Sequence, residues 1–221
     1  MWYMYRAKKK KYRVDSAGIN DHVQTVQEQR MHRRYLSSLP DGPYALPPSQ
    51  LQQMVELLDA YGRPFILTSQ SLAPSLGLLH RVVLVCLKNI RGQVYLQKKT
   101  KTSALYAGLW DVSAAGRIFA GESSEDAARR ELAVQLGIGA TRLRNIGSLP
   151  YADSTGANLS ATFFLAGPCP AIPTPGSTSD GMFVDVFELQ GLVEHQQSLL
   201  TPELIWAVQS GRISPGAEKF H

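Results

Sequence analysis

Between Arg81 and Lys88 the chain runs Val82-Val83-Leu84-Val85-Cys86-Leu87 without a polar interruption. A strand with one wet face alternates apolar and polar residues; an unbroken apolar strand has no wet face. Such a strand must lie inside a sheet that is covered on both sides, so the chain is restricted to layered folds. Apolar residues form 44% of the 221 positions, enough to cover a two-faced sheet in one domain of ordinary size with extensions, or in two small ones.

The neighbouring segments supply the rest of the sheet. Val55-Glu56-Leu57-Leu58 and Phe65-Ile66-Leu67-Thr68, joined by the turn-forming Asp59 to Pro64, predict a hairpin. Asn89-Ile90-Arg91-Gly92 turns the chain, and Gln93 to Lys98 returns it as a strand. Trp110 to Gly116 predicts one further strand ending in glycine. A helix is expected over 123–136. Ser123 or Ser124 caps it, and Ser123 to Asp126 has the spacing of a capping box. Ala128, Leu132 and Leu136 form its core stripe, and Gly137 suits a left-handed cap. Strands are expected at 143–150, 159–166 and 182–186, the last two separated by a proline-rich loop over 167–176. Glu188 is read as the start of a second helix. Thr201 caps a third, with Pro202 at its first position. The expected fold is α/β, a mixed sheet sandwiched between helices.

Charge separates the chain into two parts. Residues 1–35 carry nine basic groups against Asp15, Asp21 and Glu28, a net of +6, although the whole chain is only +5. The body is therefore close to neutral. Residues 1–48 are read as a basic extension with a proline-rich linker (Pro40, Pro43, Pro47, Pro48), and 49–221 as the folded domain. A basic tail gives weak, sequence-independent contact with nucleic acid or other anionic surfaces; a solvated tail is the simpler reading. No apolar run reaches eighteen residues, so no membrane span is expected. Cys86 and Cys169, the two cysteines, form neither a disulfide framework nor a zinc site. A cytoplasmic location is the expectation, with organellar import as the alternative because the first fourteen residues lack acids.

The chemistry lies between Gly116 and Ile138. Five residues intervene between Gly116 and Glu122, and seven between Glu122 and Arg130-Glu131-Leu132, with Gly137-Ile138 closing the pattern. This resembles the Nudix box, in which Gly, Glu, Arg-Glu-apolar, Glu-Glu and Gly-apolar recur at fixed spacing. Seven of the nine fixed positions are met; Val134 and Gln135 stand where the family has adjacent glutamates. Leu78-Leu79-His80-Arg81, Leu96-Gln97-Lys98-Lys99 and Gly108-Leu109-Trp110-Asp111 are similar to the Nudix branch related to isopentenyl-diphosphate isomerase. The isomerase reaction itself is not expected. Its cysteine and histidine positions hold Ala115 and Arg117, and its two later acids are replaced by Asn158 and Ser160.

The resemblance implies Mg²⁺ or Mn²⁺ held by glutamates on one helix face, bridging a diphosphate and activating water. Positions 131, 134 and 135, spaced i, i+3, i+4, share a face. Glu131 alone is charged there, and Gln135 offers one neutral oxygen as a weak ligand. The ligand charge thus falls from −3 to −1. Glu131 and Glu122 are the candidate catalytic acids. Gly116, Gly121, Arg130 and Gly137 carry structural roles, Arg130 by bracing the loop against a carboxylate. Arg81, Lys99 and Arg117 are the candidate phosphate contacts, beside Lys98 and Lys101. Asp111, Asp153 and Asp180 are acids outside the box. Two functions follow: a weakly active or non-catalytic binder of a diphosphate or nucleotide ligand, which is preferred, and a Mg²⁺-dependent hydrolase of a nucleoside diphosphate linked to another moiety.

Overall fold

The structure, a computed structural model, describes residues 53–59, 61–73, 77–139, 141–152, 158–169 and 180–213. The basic segment 1–48, the proline-rich loop beyond Cys169, and Asp153 lie outside the described residues.

β1 (Met54–Leu58) and β2 (Pro64–Ser69) form the expected antiparallel hairpin. Its turn is tied by Asp59, whose carboxylate accepts from the backbone N–H groups of Tyr61 and Arg63 and pairs with the Arg63 guanidinium at 2.8 Å. The apolar run is β3 (His80–Asn89). β4 is Val94–Lys98, β5 Trp110–Asp111, β6 Ala114–Arg117, β7 Leu143–Ala152, β8 Asn158–Cys169 and β9 Asp180–Val184. β3 runs antiparallel to β1, β4 and β6 and parallel to β8, so the sheet is mixed, as expected.

Among the described residues the α-helices are α1 (Ser124–Leu136), α2 (Val186–His195) and α3 (Pro202–Gln209). They cover opposite faces of β3. Val83, Val85 and Leu87 pack with Ala127, Ala128, Leu132 and Leu136 of α1. Val82, Leu84 and Cys86 pack with Leu189 and Val193 of α2 and Leu204 and Ala207 of α3. Each buried leucine contributes roughly 1.5–3 kcal/mol of transfer free energy. Burial pushes the Cys86 thiol up to about 12, so it is a packing residue and not a nucleophile. Among the described residues no helix is long and apolar enough to cross a membrane.

Three local expectations need correction. The single strand read over Trp110 to Gly116 is broken: β5 pairs with β4, and β6 pairs with β3. Ser113 sits at the break, fully buried. Its hydroxyl donates to Tyr95 O at 2.5 Å and accepts from Leu87 N at 2.8 Å, which pins the chain as it changes partner. The second helix starts at Val186, two residues before Glu188. Asp185 is its cap, and Glu188 completes a capping box from the third helical position, with bonds of 2.8 and 2.6 Å. At α1 the box is only half made. Ser123 accepts from Asp126 N at 3.1 Å, but the Asp126 carboxylate takes the Ser123 hydroxyl at 2.7 Å. Aspartate is one carbon shorter than the glutamate that reaches the cap backbone.

His80 opens β3 and is buried, with Nδ1 3.1 Å from Leu78 O. Burial holds its pKa below the ordinary 6.5, opposed by the Leu78 bond and reinforced by the Arg117 charge. A depressed folded pKa means the unfolded chain binds the proton more readily. This contribution to stability is complete above 6.5 and is lost as pH falls through that value toward the folded pKa. The urea midpoint is expected to fall from pH 8 to pH 5.5, with a shallower fall in His80→Gln; equal slopes would refute this role.

Candidate functional site

The box is folded by its glycines and one arginine. Gly116, on β6, leaves room for the Glu131 side chain. A Cβ there would stand 1.9 Å from Glu131 Oε1, well inside contact distance. Gly121 takes φ +85° in the loop that follows, and Gly137 closes α1 at φ 68°, the left-handed cap expected of it. Gly116→Ala should therefore expel the Glu131 carboxylate, at a cost of about 1–3 kcal/mol. Urea titration measures this, and an unchanged midpoint would show that Glu131 moves freely.

Arg130 leaves α1 and spans the loop. Its Nε and Nη2 donate to the two carboxylate oxygens of Glu122 at 2.7 and 2.9 Å. Nη2 also donates to Arg117 O at 2.8 Å, and Nη1 donates to Glu131 Oε1. The guanidinium carbon lies 4.0 Å from the centre of the Phe119 ring. Burial disfavours the charged guanidinium, yet the Glu122 hydrogen bonds and the charges of Glu131 and Glu122 outweigh it and raise the pKa. Glu122 further accepts from Phe119 N at 3.0 Å. The carboxylate that the expected bracing role of Arg130 calls for is, by contact, Glu122.

Glu131 is nearly buried, and both of its oxygens are occupied. Oε1 accepts from Arg130, and Oε2 accepts from Gln135 Nε2 at 2.6 Å. Gln135 Nε2 also donates to Ala115 O at 2.7 Å, and Gln135 Oε1 accepts from Gln97 Nε2 at 2.7 Å. Val134, on the same helix, is 59% exposed and offers no polar atom. Among the described residues no group of three or more His, Cys, Asp or Glu side chains is arranged to hold a metal ion.

The expected cations are dispersed. Arg117 lies beside Glu131. Burial lowers its pKa, the Glu131 charge opposes that shift, and its Nε is buried with no hydrogen-bond partner among the described residues. Arg81 instead pairs with Glu56 at 2.5 Å, and that carboxylate is 1% exposed. Lys99 is 3.4 Å from Asp111, which also accepts from the Thr201 hydroxyl at 2.8 Å. Lys98 lies over the Trp110 ring. Asp180 is exposed, and its carboxylate accepts from Gly181 N. The residue not anticipated is Gln97. It is a buried amide beside Val94, Tyr95 and Leu96 on β4, and that burial is set by the fold, not announced by its own segment.

The family model of the NUDIX domain matches residues 78–203, more than half of the chain. The chain belongs to the Nudix family. An uncharacterized Nudix hydrolase of Listeria monocytogenes is 45% identical over 69 residues, 31% of this chain and 40% of that protein. Another, from Pseudomonas aeruginosa, is 32% identical over 114 residues, 52% of this chain and 67% of that protein. The match therefore spans well under two thirds of the first relative. A Deinococcus radiodurans crystal structure shares the fold at a TM-score of 0.58 with 20% identity, covering 71% of this chain and 98% of that one. The likeness of this Nudix chain to isopentenyl-diphosphate isomerase is weaker. Nudix hydrolases generally use divalent metals such as Mg²⁺.

Proposed function

We propose that this Nudix chain binds a diphosphate-containing or nucleotide ligand with little or no turnover. The observation that carries the reading is Glu131. It is the one carboxylate on its helix face, and both of its oxygens already accept hydrogen bonds from Arg130 and Gln135. Mg²⁺ is a hard ion that needs oxygen ligands in near-octahedral array. The residues on this face do not fit it. Within the box, two guanidiniums, Arg117 and Arg130, stand against two carboxylates, Glu122 and Glu131, so this cluster is formally neutral. An anionic phosphate is not repelled there, and the half-buried Arg117 guanidinium offers it hydrogen-bond donors.

The test combines binding and turnover. Purified protein is titrated calorimetrically with ADP-ribose and with ADP in EDTA. It is also incubated with a panel of nucleoside diphosphate derivatives in Mg²⁺ and in Mn²⁺, with release of the nucleoside monophosphate product measured. Binding in EDTA without release is expected. Arg117→Ala should weaken binding about 10- to 100-fold, as loss of hydrogen bonds to a charged group implies. Metal-dependent turnover that disappears in Glu131→Gln would establish the alternative, a Mg²⁺-dependent hydrolase.

A further inference from the structure

The neighbours of Gln135 determine which way its amide faces. Its side-chain nitrogen lies 2.7 Å from Ala115 O and 2.6 Å from Glu131 Oε2. A backbone carbonyl and a carboxylate are acceptors only, so the donor end of the amide must face them both. The opposite end, Gln135 Oε1, then faces Gln97 and must receive a donor; Gln97 presents its Nε2 at 2.7 Å. The order of atoms is forced from Ala115 outward. The oxygen with which Gln135 was expected to help hold a cation therefore points away from Glu131 and is already taken.

We infer that Gln135 is a positioning residue which, together with Arg130, holds the Glu131 carboxylate with N–H donors, so that α1 and the Gly116 strand stay joined without a divalent ion. Arg130 grips one oxygen, Gln135 grips the other, and Gln97 fixes Gln135 in turn. A glutamate at 135 would reverse this. It would offer no donor to Ala115 O or to Glu131, and it would place a second carboxylate four residues from the first on the same face. Such a pair needs a cation between its members. The inference concerns how the box is held, and it stands whether or not a diphosphate ligand binds.

The experiment is thermal unfolding of the full chain in EDTA and across a MgCl₂ series, for wild type, Gln135→Glu and Gln135→Leu. The wild-type Tm is expected to be the same in both media. Gln135→Glu should melt about 4–10 °C lower in EDTA and recover with Mg²⁺ along a saturable curve. Gln135→Leu loses the donors without gaining a charge, so it should also melt lower but show no recovery. That contrast separates the proposed role from a merely structural one. A wild-type Tm that rises saturably with Mg²⁺ overturns the inference, as does a Gln135→Glu chain as stable as wild type in EDTA or insensitive to Mg²⁺. Should Gln135→Glu fold in neither medium, calorimetry of MgCl₂ into wild type decides. A binding heat abolished by Glu131→Gln overturns the inference, and no such heat upholds it.

Discussion

Arg130→Met should destabilise the chain by about 3–5 kcal/mol, the usual cost of stranding a buried carboxylate by removing its partner. At this size that corresponds to a fall in Tm of roughly 10 °C. One guanidinium serves four acceptors: both oxygens of Glu122, Oε1 of Glu131 and the Arg117 carbonyl. Methionine keeps most of the apolar stem but loses the guanidinium that stacks on Phe119, so the variant removes the charge, the donors and that ring contact together. The Glu122 and Glu131 side chains are only 16% and 12% exposed, and without the cation they would face each other across the loop. Arg130 itself is 27% exposed, so some water can enter, which favours the lower half of the range. Arg130→Lys should recover little. An ammonium is a point charge with three donors and cannot match the planar fork. Urea denaturation measures both variants, and a loss under about 1 kcal/mol for Arg130→Met would mean the brace is ordinary surface pairing.

How much of this was legible beforehand depends on whether a contact is local. The unbroken apolar run gave β3 and its two covered faces. The serine cap, the stripe Ala128, Leu132, Leu136 and Gly137 gave α1 to within a residue. The charge of the α1 face followed from i, i+3, i+4 geometry alone, because a helix fixes which side chains are neighbours. The contacts that sequence did not reveal cross between elements. Arg81 reads as a free cation because its partner, Glu56, lies 25 residues earlier on a hairpin strand, where it looks like an outward polar position. Only the pairing of β1 with β3 brings the two together. Gln97 lies 38 residues from Gln135, and nothing in either segment announces the amide pair. The break between β5 and β6 was hidden for a related reason. A strand that changes partner keeps its β-forming residues, and the cue, Ser113, matters only through bonds to β3 and β4.

Val134→Glu with Gln135→Glu should give the chain a divalent-ion site and, with it, metal-dependent release of nucleoside monophosphate from a nucleoside diphosphate derivative on which the parent is inert. The two substitutions raise the ligand charge on the face from −1 to −3 at positions one helical turn apart. Position 134 is already exposed, so its carboxylate is free to meet a hydrated ion. Position 135 loses its bonds to Ala115 O and Glu131, but Gln97 Nε2 can still donate to the new carboxylate and hold it in place. Without metal the three carboxylates repel, and Ala115 O faces a like-charged oxygen. Metal binding relieves both costs, and Arg130 keeps the loop braced on Glu122 throughout. Calorimetry should show Mg²⁺ affinity rising by about a hundredfold or more, equivalent to roughly 2.8 kcal/mol. Adding Glu131→Gln to the double variant should abolish both the binding gain and the turnover, since it removes the central ligand. If the double variant binds Mg²⁺ yet releases no nucleoside monophosphate, helix charge is not what limits hydrolysis, and the missing component lies outside the box. If it binds no better than the parent, the N–H clamp on Glu131 is not what excludes the ion.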